Sequence, residues 1–149
     1  MVDIDLLKKL REETGVSIAD CRKALEETNS NYEKAREWLK KQGLEKAAKK
    51  SDRETAQGLV ESYIHQNGKV GSLITLLCET DFVARTDDFK HLAHEVAMQV
   101  AALDPKDVDT LLKQEYIRDG SVKIEDLIKQ TIAKLGENIK VKEIKRFEI

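Results

Sequence analysis

No run of this sequence is apolar for long enough to cross a bilayer, which takes about 20 residues of helix. Its seven glycines never gather into a GxxxxGK or GxGxxG loop that could cradle a phosphate. Only two cysteines occur, Cys21 and Cys78, far apart and without CxxC spacing. They read as small buried apolar residues, not as zinc ligands or half of a disulfide framework. Of three histidines, His91 and His94 stand three apart on a predicted helix, but no third ligand of suitable type lies near them in sequence. They read as surface or core-edge side chains, and no metal is expected. No serine, cysteine or histidine is spaced as a nucleophile with its base. Carboxylates are plentiful but scattered over helical stretches, where they pair with lysines at helical spacing. The residues therefore point away from an enzyme, and neither a catalytic residue nor a cofactor is expected.

Charge of one sign is also missing. The formal net charge of −2 creates no global attraction to nucleic acid or to an anionic membrane. Met1-Val2-Asp3-Ile4-Asp5 brings acids early, with no basic region followed by an apolar one. This is not the pattern of a signal or transit peptide, so a cytoplasmic protein is the expectation. Hydrophobic residues at 40% with charged residues at 36% describe a globular chain with a heavily charged surface. A length of 149 residues suits one ordinary domain or one small and one medium domain. Aromatics make up only 5%, so the position of each one is informative.

Residues 1–43 predict three short helices. The first runs from about Ile4 to Glu13 with Ile4, Leu7 and Leu10 on one stripe. Gly15 suits its left-handed C-cap. Ser17 with Asp20 three residues on is an N-terminal capping signature. The second helix follows with Ile18, Cys21, Ala24 and Leu25 on one face. Asn29-Ser30-Asn31 turns the chain into a third helix carrying Tyr32, Ala35, Trp38 and Leu39, which Gly43 is expected to end. So small a core has no catalytic spacing and reads as a docking module. Residues 44–57, with Lys46, Lys49, Lys50, Asp52, Arg53 and Glu54, have no broad apolar stripe and predict a linker, partly helical at best.

Residues 58–149 read as an α+β core. Leu59 to His65 and Lys69 to Leu77 are strand-like runs around Asn67-Gly68, a strong hairpin signal. The near-continuous apolar run Leu73 to Cys78 predicts cover on both faces. Phe89, Leu92, Ala93, Val96, Ala97 and Val100 keep helical period until the lone Pro105 forbids its continuation. A short helix is predicted around Val108 to Tyr116, then a turn at Asp119-Gly120-Ser121. Ile124, Leu127, Ile128, Ile132 and Leu135 mark another amphipathic helix, closed by Gly136. In the tail the alternation slips between Val141 and Ile144, so the third strand should be bulged.

The stretch Cys78-Glu79-Thr80-Asp81-Phe82-Val83-Ala84-Arg85 joins the second strand to the long helix. Connections placed by rigid flanking elements are where binding groups tend to be found. Two readings of Phe82 are open on the residues alone. It could plug the core beside a helix capped by Thr86 or Asp87, or it could be held out for a partner.

Two segments, Leu10 to Leu25 and Cys78 to Arg85, together resemble the elongation factor Ts family of bacterial translation factors. Lys46-Ala47-Ala48-Lys49-Lys50 and Gly136-Glu137-Asn138-Ile139-Lys140 add to the likeness, which runs end to end in the right order. The resemblance implies a ubiquitin-associated-like three-helix N-terminal module and a core of three-stranded antiparallel sheet packed with helices. It implies a guanine-nucleotide exchange factor for elongation factor Tu, met in its GDP-bound and nucleotide-free states. On that likeness Thr80, Asp81, Phe82 and Val83 form the segment that disturbs the partner's magnesium site, with Phe82 as the wedge. Gly15, Val16, Ile18 and Ala19 match the module's contact with the same GTPase. On that likeness the chain is expected to hold one core subdomain, without the second one and the helical hairpin of longer members, and the likeness to shorter members implies a homodimer. No direct nucleic-acid or membrane partner is implied. A helical adaptor without exchange activity is the alternative. A small RNA-binding protein using Lys46, Lys49, Lys50 and Tyr63 is a third reading, disfavoured by the net charge and the lack of an aromatic platform.

Overall fold

The Asp3 carboxylate accepts the Asp5 N–H at 2.8 Å and so starts α1 (Ile4–Thr14), which ends at Gly15 in the left-handed conformation. The computed structural model describes every residue, Met1–Ile149. Ser17 caps α2 (Ile18–Glu27), and Asn31 accepts the Lys34 N–H at the start of α3 (Tyr32–Ala48). Leu10, Cys21, Ala24, Leu25 and Ala35 are fully buried together with Leu39. Ile4 departs from expectation, being exposed, whereas Leu7 packs against that core as expected, together with Val2 and Leu6. The third helix also departs, running through Gly43 to Ala48. A glycine inside a helix costs about 1 kcal/mol relative to alanine. Burial of Ala47 among the apolar side chains of the α+β core gives the extension its return.

The chain forms two compact units, Met1–Lys46 and Ala47–Ile149. In the second, β1 (Gln57–Ile64) and β2 (Val70–Cys78) are an antiparallel hairpin. Its turn is closed by the Gly68 N–H on the His65 carbonyl and by the Lys69 N–H on the Asn67 side chain. The one-turn helix α4 (Asp81–Ala84) leads into α5 (Asp87–Leu103), capped by Thr86, whose hydroxyl accepts the Phe89 N–H at 3.2 Å. After α6 (Val108–Lys113), two short strands appear where only a helix end and a turn were expected: β3 (Glu115–Tyr116) and β4 (Asp119–Lys123). Two buried polar side chains of α5 hold them. Glu95 accepts from the Tyr116 hydroxyl at 2.7 Å and pairs with Arg118, while Gln99 bonds the Glu115 carbonyl and the Ile117 N–H. Helix α7 (Ile124–Leu135) and strand β5 (Lys140–Glu148) complete the unit.

The sheet order is β1-β2-β5, all antiparallel, the mixed α+β architecture expected. Pairing passes from Thr75 with Glu143 to Leu76 with Val141, so Lys142 is the extra residue of a bulge. That bulge lets Val141 and Ile144, three apart, both face inward. Cover of β2 on both faces is not found. Ser72, Ile74, Leu76 and Cys78 face the helices and are buried, whereas Leu73 on the opposite face is 45% exposed. Val60, Ile64 and Phe147 share that open face through the strand register.

Candidate functional site

The connection after β2 is built around a carboxylate that stands far away in sequence. Glu137 Oε1 accepts the N–H groups of Glu79 and Thr80 at 3.1 and 2.9 Å, and its Oε2 accepts the Thr80 hydroxyl at 2.7 Å. Glu79 answers by accepting the Asn138 N–H at 2.9 Å, with Arg53 3.7 Å from the same carboxylate. The buried Asn138 amide donates to the carbonyls of Ser51 and Arg53. A stretch expected to be a loose linker is thus tied down by hydrogen bonds.

Thr80 uses the same hydroxyl oxygen to accept the Val83 N–H at 3.3 Å, capping α4. From that single turn the side chains part. Val83, 5% exposed, and Ala84 pack into the core, while Phe82 is 76% exposed. Asp81 faces solvent beside Arg85, 2.9 Å away. The plug reading of Phe82 is therefore not what the geometry shows: Val83 fills the core at this turn. Most aromatics bury, so an exposed phenylalanine on a fixed turn calls for an explanation. Beneath it, Cys78 is buried and its thiol donates to the Thr80 carbonyl at 3.1 Å. Burial above all, with the nearby Glu137 charge adding to it, pushes that thiol's pKa up, so it stays protonated at neutral pH.

In the helical unit, Gly15 has φ 67°, a conformation that costs other residues energy. Its N–H bonds the Arg11 carbonyl at 2.8 Å, ending α1 so that α2 can start three residues later. Val16 is half-buried against the core, while Ile18, 46% exposed, and Ala19 face solvent. Asp20 is held at Ser17 and by an ion pair with Lys46 at 3.1 Å. That Lys46 contact foremost, with the Ser17 hydroxyl, lowers the Asp20 pKa. Gly15, Ile18 and Ala19 thus form one exposed corner, with Val16 half-buried behind it, and Thr80, Asp81 and Phe82 form another, with Val83 buried beneath it. His91 and His94 are both exposed on α5, and no three His, Cys, Asp or Glu side chains converge where a metal ion could be held.

Sequence reasoning did not single out Glu137, Asn138 or Arg53 as parts of this turn. Only the string Gly136 to Lys140 drew notice, and its pattern predicts no more than the end of a helix before a strand. Residues 57 and 58 positions apart have no local signal that joins them.

The fold and its exposed corners define an α+β protein of two units that presents an aromatic side chain, Phe82, outward on a fixed turn. Comparison with known proteins narrows this. The family described as "Elongation factor TS" matches residues 79–149, and that described as "Elongation factor Ts, mitochondrial, N-terminal" matches residues 2–48. Elongation factor Ts of Fervidobacterium nodosum is 40% identical over 193 aligned positions, covering 99% of this chain and 98% of the relative. That of Thermotoga maritima is 41% identical over 191, covering 99% and 96%. The Nostoc sp. relative is 48% identical over 148, covering 99% of this chain but 47% of its own length. The chain belongs to the elongation factor Ts family. Since 193 aligned positions exceed the 149 residues here, the Fervidobacterium protein carries residues within the matched span that this chain does not have.

Proposed function

We propose that this protein is a guanine-nucleotide exchange factor that promotes GDP release from elongation factor Tu during translation elongation. Family membership supports the reading, and one observation carries it: Phe82 stands 76% exposed on a one-turn helix pinned from both sides. A side chain held out in this way has already lost the freedom that binding would otherwise take from it. In the mechanism, Phe82 enters the partner's nucleotide-binding domain near the magnesium and phosphate site, accompanied by Asp81. Thr80 caps the turn and Val83 anchors it. The corner formed by Gly15, Ile18 and Ala19, with Val16 behind it, contacts the same GTPase.

The energetics are those of linkage. Magnesium bridges phosphate oxygens and protein ligands, so disturbing it weakens nucleotide binding. If factor and GDP disfavour each other's binding by some ratio, each lowers the other's affinity by that same ratio. GTP binding then releases the factor, and no covalent step is required of this chain. The test is release of a fluorescent GDP analogue from elongation factor Tu, with and without this protein, beside Phe82→Ala. The unmutated protein should accelerate release strongly. Phe82→Ala should lose at least about thirtyfold of that acceleration, the equivalent of a hot-spot side chain worth about 2 kcal/mol. Its melting temperature should barely change, since the ring is exposed. No acceleration by the unmutated protein would overturn the reading and favour a helical adaptor.

A homodimer is part of the same proposal. The open sheet face aligns Ile64, Gly71 and Phe147 in one row and Ser62, Leu73 and Lys145 in the next. A contiguous apolar patch rimmed by polar residues is characteristic of an interaction surface. A second copy would bury it, with β5 contributing Phe147.

A further inference from the structure

We infer that Glu137 is a positioning residue for the Phe82 turn, acting on the partner only through the geometry it imposes on Glu79 and Thr80. The inference rests on the exchange reading above and concerns how the wedge is held ready. Helix α4 has four residues. A single helical turn fixes several dihedrals for one hydrogen bond and is not stable by itself. Something outside it must hold it, and two things do. Val83 and Ala84 anchor its inner side in the core. Its entrance is held by Glu137, which gathers two backbone N–H groups and the Thr80 hydroxyl, at 3.1, 2.9 and 2.7 Å. Hydrogen bonds to an ionised acceptor are roughly twice as strong as neutral ones.

The carboxylate is specifically suited to this. Three donors converge on it, and an ionised carboxyl group is acceptor-only, with about four lone-pair sites. An amide in its place keeps one acceptor oxygen and turns two donors toward other donors. Glu137 is itself fixed, because the next residue, the buried Asn138, bonds Glu79, Ser51 and Arg53. With three of its acceptor sites filled from within the chain, Glu137 is poorly placed to act as a contact for a partner. The three bonds hold the turn in the form that projects Phe82.

A group that preorganises a binding element and a group that does the work in the complex leave different signatures. If only a fraction of molecules has the competent turn, apparent affinity falls by that fraction, while a saturating partner still selects the ordered form. The experiment is therefore the concentration dependence of GDP release from elongation factor Tu for the unmutated protein, Glu137→Gln, Glu137→Ala and Phe82→Ala. Amide hydrogen exchange at Glu79 and Thr80 is followed in the free proteins. Glu137→Ala should raise the half-saturating concentration about tenfold and leave the maximal rate within about twofold. Glu137→Gln should fall between it and the unmutated protein. In both, the Glu79 and Thr80 amides should lose protection while the central amides of β2 keep theirs. Phe82→Ala should instead lose the maximal rate. Should Glu137→Ala fail to fold, Glu137→Gln carries the comparison, since it keeps one acceptor oxygen. An unchanged half-saturating concentration in the folded Glu137 variants would overturn the inference. A loss of maximal rate matching Phe82→Ala would overturn it too, by making Glu137 a contact. These outcomes are distinct from failure of the exchange reading, in which the unmutated protein itself leaves GDP release unaccelerated and both ideas fall.

Discussion

Tyr116 shows what a single buried contact does to a residue. Its hydroxyl donates to Glu95 at 2.7 Å, and Arg118 closes on the same carboxylate oxygen. Burial first, then the bond to Glu95, pushes the phenol from 10.0 up to about 12. The raised pKa means that the protonated form is favoured by folding. The stability it contributes is therefore complete below pH 10 and is lost as pH rises through about 12. Tyr116→Phe should flatten the fall in melting temperature over that interval, and the phenolate absorbance step near pH 12 should shrink by one tyrosine. Phe82 is the opposite case at this scale, an apolar ring that folding leaves in water. Its exposure was not decidable from the residues, because the segment Thr80 to Ala84 offers three apolar side chains in a row, Phe82, Val83 and Ala84. The turn buries Val83 and Ala84 and leaves Phe82 outside.

Among the elements, the β1–β2 hairpin has the tightest backbone requirement. Gly58 has φ 151°, and a Cβ there would lie 2.1 Å from the Leu76 carbonyl oxygen. That oxygen belongs to the central strand and has no room to retreat. Gly58→Ala should destabilise the α+β unit by roughly 2–3 kcal/mol, in the range of a strained backbone residue with overlap added. Equilibrium denaturation would measure it, and a change under about 0.5 kcal/mol would show that β1 can move away from β2 at little expense. Helices and strands with strong periodicity were legible: α2, α5, α7, the hairpin and even the bulge in β5, since Val141 and Ile144 cannot share a face without an extra residue between them. The β3–β4 pair was not. Its strands are too short to alternate visibly, and they exist because Glu95 and Gln99 reach them from α5. The extension of α3 past Gly43 was missed for a related reason, namely that the burial favouring it comes from residues far along the chain.

At the scale of the whole molecule the open face of the sheet is the main feature left unsatisfied. Phe147 is 60% exposed and lies across Gly71 from Ile64. If a second copy covers this face, as proposed, the sedimentation mass should be twice 16.9 kDa at micromolar concentration. Phe147→Glu should then shift it toward the single-chain value, because the charge would be stripped of water in the interface. A mass of one chain at all concentrations for the unmutated protein would remove the dimer from the proposal. Each of the two units has an apolar core of its own, one around Leu10 and Leu25, the other around Phe89 and Leu76.

The sequence by itself determined the elements whose signal is local. Capping residues, turn glycines and apolar periodicity act within a few positions and can be read there, as can the family through Leu10 to Leu25 and Cys78 to Arg85. Only the tertiary structure decided which side chains meet. The Glu137 clamp joins residues 57 and 58 positions apart, and the exposure of Phe82 depends on which neighbour the core accepts. Hydrogen bonds and burial are set by distance in space, and a linear pattern does not carry that distance.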